Sequence, residues 1–233
     1  MIYLTCMESI IIFYTERMMN YKVAIFDMDG TILDTLIDLK NSVNFALKEH
    51  GFPQRTYDEV RMFVGNGMPK LIERAVPAGS DEQTRQEVLK TFMAHYEKHC
   101  ADNTCAYEGI KDLLLALKAK GVKLAVNTNK AQEAALVLVD EYFKGLFDFV
   151  AGAVDDRRKK PAPDGVDFIL LESGIDKTQA VYIGDSDVDF NTAKNAGINF
   201  IGCDWGFRGE KFLREQGAET IVNQPKEILK FWE

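Results

Sequence analysis

A chain of 233 residues, 46% hydrophobic and 27% charged, is long enough for one large domain or for a medium domain carrying a smaller insert, and can bury a real core. Its 36 acidic residues outnumber 28 basic ones, for a formal net charge of −8. That balance argues against nucleic acid as the main partner, because phosphate-backbone binding needs a basic surface. An anionic metabolite stays compatible if a metal, a lysine or helix ends reverse the charge inside a cleft.

In chain order, residues 10–14 (IIIFY) are the first apolar run, flanked by Glu8 and Ser9 before and by Glu16 and Arg17 after. A spanning helix needs roughly 20 apolar residues, so this is not one. The start also lacks the basic stretch and small-residue cleavage site of a secretory signal. Residues 1–18 therefore read as an extension outside the fold, as an early start codon would produce.

From Tyr21 onward the pattern becomes strand–helix alternation. Val23–Phe26 (VAIF) is a continuous apolar run, the mark of a strand buried on both faces. Similar runs recur at 124–126, 149–150, 181–183 and 200–201. Between them, Ile110, Leu113, Leu114 and Leu117 share one helical face, with Gly121 as a stop. Residues 165–174 and 187–197 repeat the helical pattern. Such alternation predicts an α/β fold, a Rossmann-like parallel sheet with helices on both faces.

Residues 36–102 break the alternation. Leu39, Val43 and Leu47 line one helix that ends at Gly51; Thr56 with Glu59 and Ser80 with Gln83 read as capping boxes for two more. The stretch is expected to be a small helical cap domain inserted into a core of residues 19–35 and 103–233. His95 and His99 stand four apart near Cys100 and Cys105, but HxxxH without a following Glu is ordinary helix surface. The four cysteines, including Cys6 and Cys203, read as reduced thiols of a cytoplasmic protein.

Open parallel sheets bind ligands beyond the carboxyl ends of their strands. There stand Asp27-Met28-Asp29-Gly30-Thr31, Asn127-Thr128-Asn129-Lys130, and Gly184-Asp185-Ser186-Asp187-Val188-Asp189; Lys160-Pro161 precedes a helix. Five acids at one crevice (Asp27, Asp29, Asp185, Asp187, Asp189) call for a cation, and oxygen ligands suit Mg²⁺. A carboxylate can attack phosphorus to give an acyl phosphate. Asp27 and Asp29, two apart on an extended strand end, point the same way, so one can attack while the other moves protons. Thr128 and Lys160 can neutralise the non-bridging oxygens. Alone, each piece has a plainer reading: a turn, a loop, a solvated basic run over residues 157–160, an acid-decorated helix start. Their joint order at strand ends favours chemistry.

Over residues 21–203 the chain resembles the haloacid dehalogenase superfamily, whose four motifs match Asp27-Met28-Asp29-Gly30-Thr31, Thr128, Lys160 and Gly184-Asp185-Ser186 with Asp189. The resemblance implies Asp27 as nucleophile, Asp29 as general acid and base, and Mg²⁺ on Asp27, Asp185 and the Asp29 carbonyl. Asn129, Ser186 and Asp189 would support them. Residues 64–68 and 71–75 further resemble the cap loop of bacterial phosphoglycolate phosphatases, and residues 205–208 the segment after their last core strand. Gly65, Asn66, Gly67, Lys70 and Arg74 are therefore the expected substrate contacts of the cap. The expected partner is a small phosphorylated metabolite, with 2-phosphoglycolate the leading candidate and neither nucleic acid nor membrane involved. A β-phosphoglucomutase-like mutase, or a pyrophosphatase of the same cap class, is the alternative. The sequence leaves monomer and dimer equally open.

Overall fold

The computed structural model describes residues 21–233, so the expected extension over residues 1–18 and Cys6 lie outside the described residues. Six parallel strands form the main sheet: β1 Val23–Phe26, β4 Lys123–Ala131, β5 Phe149–Ala153, β6 Ala180–Gly184, β7 Asn199–Cys203 and β8 Ile221–Val222. Their order across the sheet is β5-β4-β1-β6-β7-β8. Central β1 pairs with both β4 and β6, Phe26 standing opposite Val126 on one side and Ile183 on the other.

The continuous apolar run of β1 follows from this place. Ala24 and Phe26 point into one hydrophobic cluster, which also takes Ile110, Leu113, Leu114 and Leu117 of α5 (Ile110–Ala119) and Leu138 of α6 (Gln132–Phe143). Val23 and Ile25 point into a second, with Val166 and Ile169 of α7 (Asp164–Ser173) and Ala193 of α8 (Asp187–Ala196). Alternate side chains of a strand face opposite ways, so a strand covered on both sides has no position for a polar residue. Burying each such large side chain contributes about 1.5–3 kcal/mol.

Between β1 and β4 the chain builds a four-helix module: α1 Leu36–Glu49, α2 Tyr57–Phe63, α3 Met68–Ala75 and α4 Glu82–His99. It has its own cluster, with Leu39, Val43 and Leu47 packed against Val60, Leu71, Val88 and Phe92. Thr56 and Glu59 form the expected capping box on α2. On α4 the cap is Asp81 rather than Ser80, because the Ser80 hydroxyl donates to the Pro77 carbonyl and leaves the Thr84 N–H to the Asp81 carboxylate.

Two linkers join the module to the sheet, and they pair as a short antiparallel ribbon of β2 (Leu33–Asp34) and β3 (Cys105–Ala106). Neither β2, β3 nor β8 stands out in the sequence, since two residues carry no periodicity. The buried Asp38 carboxylate fastens the second linker, accepting from the backbone of Asn103 and Thr104 and from both their side chains. Helix α9 (Gly209–Gln216) follows β7. Among the described residues no helix is long and apolar enough to cross a membrane.

Candidate active site

β1 delivers Asp27 and Asp29 through a tight turn, in which the Met28 carbonyl accepts from the N–H groups of Thr31, Ile32 and Leu33. The turn needs a left-handed residue at Gly30, where φ is 91°, and a Cβ there would come within 2.6 Å of Asp185 Oδ2. Glycine alone meets both demands. The Asp29 main-chain carbonyl accepts none of the bonds that close this turn.

The end of β6 brings in Asp185. Its Oδ1 accepts from the Thr31 hydroxyl at 3.2 Å and its Oδ2 from the Phe207 N–H at 2.7 Å. Ser186 caps α8 in a capping box with Asp189, whose Oδ2 accepts from the Ser186 hydroxyl at 2.6 Å. Lys160, buried beneath them, joins the two ends. Its Nζ lies 2.6 Å from Asp27 Oδ1 and 2.7 Å from Asp189 Oδ1.

Electrostatics reflect that crowding. Burial, then the Asp189 charge, pushes Asp27 well above the ordinary carboxylate range, with Lys160 opposing. Burial, then Asp189, pushes Asp185 up to about 7. For Lys160 burial works against the ammonium, but Asp189 and Asp27 outweigh it and hold the proton on. Oxygens of Asp27, Asp185 and Asp189 lie within 4.8 Å of one another, all buried. An all-oxygen, over-charged set of this kind fits a hard divalent cation. Asp189 is the least available of the three: it does not line the cavity, its Oδ1 accepts from Lys160, and its Oδ2 accepts from both the N–H and the hydroxyl of Ser186.

The sequence expectation is uneven here. Asp27, Asp29, Thr128, Asn129, Lys160, Asp185, Ser186, Gly65 and Gly67 line one cavity. Thr128 Oγ1 accepts the Lys130 N–H at 3.2 Å, leaving the hydroxyl proton for a ligand. Asn129 ties the loops together, accepting the Lys160 N–H and donating to the Gly65 carbonyl. Asp187, counted among the converging acids, does not line the cavity and stands on the flank of α8, 3.9 Å from Arg208 Nε.

Lys70 and Arg74 do not line the cavity either. Lys70 is exposed and pairs with Glu73, while Arg74 donates to the Phe63 carbonyl and to Asn66 Oδ1. Arg74 and Asn66 thus brace the 65–67 loop from behind. Gly67 caps α3 at φ 85°, and with Met68 and Leu71 it closes the cap side of the cavity.

Two further cations, Lys130 and Arg208, stand in the cavity wall beyond the expected site residues. Arg208 donates to the carbonyls of Arg61 and Val64, while Arg61 donates to those of Phe207 and Gly206. This reciprocal clasp, with Phe207 packed into the cap cluster, holds the module over the sheet. The signal for Lys130 was its place two residues past Thr128, on the same side of an extended strand.

Gly206 gives a direct test of this packing. A Cβ there would fall 2.2 Å from the Asp185 Cβ and 2.6 Å from the Gly30 carbonyl oxygen. Gly206→Ala is expected to cost about 1–3 kcal/mol in thermal unfolding and to raise the cation concentration for half-maximal activity. An unchanged cation requirement would refute the claim that this loop positions Asp185.

A model of the haloacid dehalogenase-like hydrolases matches residues 24–203. The phosphoglycolate phosphatase of Pseudomonas savastanoi pv. phaseolicola is 31% identical over 215 residues, 89% of this chain and 78% of that protein. That of Aquifex aeolicus is 31% identical over 210 residues, 90% and 95% of the two chains. The crystal structure of a candidate phosphoglycolate phosphatase from Lactobacillus delbrueckii subsp. bulgaricus superposes with a TM-score of 0.88 at 36% identity, covering 92% of this chain and 99% of that one. CbbY of Rhodobacter sphaeroides, solved in complex with phosphate, gives 0.68 at 25% identity, covering 89% and 96%.

Proposed function

The chain belongs to the haloacid dehalogenase-like hydrolase family, and from that premise we propose that it is a phosphatase that hydrolyses a small anionic phosphomonoester, 2-phosphoglycolate being the best fit, through a phospho-aspartate on Asp27. The observation that carries this reading is the pairing of Asp27, bound to Lys160 at 2.6 Å, with Asp29 in the wall of one small cavity.

Asp27 attacks phosphorus as the bond to the leaving oxygen breaks, and Asp29 gives that oxygen a proton, releasing the alcohol. Water then attacks the acyl phosphate, Asp29 takes its proton, and the bond to Asp27 breaks to release phosphate. Thr128 and Lys160 donate to the non-bridging oxygens throughout. Mg²⁺ would be held by Asp27, Asp185 and the Asp29 carbonyl, where it supplies charge neutralisation for the phosphoryl oxygens. Asp189 and Ser186 keep Lys160 in place. Cys100, Cys105 and Cys203 are all free thiols, in keeping with the cytoplasmic setting proposed here.

Substrate choice rests on the cap, since the core handles only the phosphoryl group. The cavity is partly open to solvent, and its confined part measures about 40 Å³, room for a few waters when one needs about 10–15 Å³. That favours a two-carbon acid over a sugar phosphate. The 65–67 loop, at the start of α3, offers backbone N–H groups to the carboxylate.

Hydrolysis of 2-phosphoglycolate is expected to exceed that of glucose phosphates by about tenfold or more in kcat/KM, one well-placed charged contact being worth that much. Gly67→Val, which forces a branched residue into a left-handed position, is expected to raise KM for phosphoglycolate by about tenfold while sparing 4-nitrophenyl phosphate. Equal efficiency toward glucose phosphates would sink the assignment. Transfer between sugar hydroxyls would favour a mutase, and release from inorganic pyrophosphate a pyrophosphatase.

A further inference from the structure

Lys130 takes no part in the steps above, yet its side chain is only 1% exposed. A buried ammonium costs several kcal/mol unless it is well paired, so its partners deserve a reason. Nζ lies 3.1 Å from Asp29 Oδ1 and donates to the Tyr96 hydroxyl at 2.8 Å. The Thr35 hydroxyl donates to the same Asp29 Oδ1 at 2.7 Å. Asp29 Oδ2 receives no hydrogen bond from the described residues. One oxygen of the carboxylate is therefore pinned and the other is left for a proton.

The pinning groups come from three elements. Thr35 sits in the first linker at the foot of α1, Lys130 near the end of β4, and Tyr96 on cap helix α4. Tyr96 is itself held, stacked on Phe92 with ring centroids 5.4 Å apart, and the Lys130 ammonium lies 4.8 Å from its ring centroid. Burial pushes the Tyr96 hydroxyl up to about 12, so it stays neutral beside the ammonium.

We propose that Lys130 is a positioning residue that orients Asp29 for proton transfer to the leaving group, and that Tyr96 ties this orientation to the cap. The inference rests on the reading of Asp29 as the acid–base group. Lys130 acts through Asp29 and not on the transferred phosphoryl group, which Lys160 and Thr128 receive. Its effect depends on how badly the leaving oxygen needs a proton. An alkoxide needs one; 4-nitrophenolate leaves without.

The test compares kcat/KM for ethyl phosphate, 2-phosphoglycolate and 4-nitrophenyl phosphate in the Mg²⁺-loaded full-length protein and its Lys130→Met, Tyr96→Phe and Asp29→Asn variants. Lys130→Met is expected to lose about 10²-fold on both alkyl phosphates, the cost of a misplaced catalytic group, and less than about threefold on the aryl phosphate. Tyr96→Phe, which keeps the ring and so the packing, is expected to lose about tenfold in the same pattern. It remains decisive if Lys130→Met does not fold. Equal losses on all three substrates, or none, would overturn the proposal. A loss confined to 2-phosphoglycolate would overturn it too, by making Lys130 a contact for the substrate carboxylate. If Asp29→Asn fails to discriminate alkyl from aryl leaving groups, the acid–base reading itself falls. If Asp29→Asn discriminates and neither other variant does, only the positioning role of Lys130 falls.

Discussion

Asp27→Asn is expected to abolish turnover, by about 10⁴-fold or more for loss of a nucleophile, while leaving the metal-free protein at least as stable as the parent. The amide keeps the size of the carboxylate but cannot form the acyl phosphate. Stability follows from the surroundings. Asp27 shares a buried site with Asp185 and Asp189, all within 4.8 Å, and its proton is held well above the ordinary range by burial and by Asp189. Removing that charge relieves repulsion, and Lys160 keeps its bond to Asp189 at 2.7 Å. Measured phosphate release and a thermal melt on the same sample check both halves. Near-parental turnover would remove Asp27 from the nucleophile's role; a collapsed melt would show that its bond to Lys160 supports the fold.

Chelating the divalent cation is the second large effect. Several kcal/mol of charge stabilisation are at stake, so hydrolysis should fall by about 10³-fold or more, and Ca²⁺ should not restore it because it prefers higher coordination and looser geometry. A pH dependence accompanies the loss. Burial and the Asp189 charge hold Asp185 at about 7 in the folded protein, against about 3.9 for an ordinary aspartate, so between those values the folded state holds a proton that the unfolded chain has released. Stability of the metal-free protein therefore falls as pH rises through that window and levels off above it. A cation that takes the ionised carboxylates offsets the loss. The rise in melting temperature on adding Mg²⁺ should be larger near pH 8 than near pH 5.5. Full activity in excess chelator would contradict the metal reading, and a Mg²⁺ effect that shrank with rising pH would contradict the carboxylate cluster as its site.

Much of the core was readable because its signals are local. A run such as Val23–Phe26 needs no partner to announce a strand buried on both faces, and the acids that follow it lie within a few residues. The helices between residues 36 and 102 were legible from apolar spacing and capping residues, as in Leu39, Val43 and Leu47, all buried. Shorter features escaped. The β2–β3 ribbon joins residues more than seventy positions apart and is two residues wide, too little for a periodic pattern to register.

By itself, then, the sequence determined the strand ends, their acids and the order of the motifs, since each depends on neighbours a few residues away. Only the tertiary structure decided which charges face the cavity. Asp187 and Asp189 are two residues apart, which would share a face on a strand but lie on opposite sides of a helix; Ser186 caps that helix, so Asp189 turns inward and Asp187 outward. Of the basic run 157–160, Lys160 alone lines the cavity, reaching Asp27 across 133 positions. Lys70 and Arg74 turn away, while Arg208 and Lys130 turn in to meet carbonyls of the cap and the Asp29 carboxylate. A long cationic side chain can reach several directions from one backbone position, and its choice is settled by partners distant in sequence. That choice exists only once the sheet and the cap have come together.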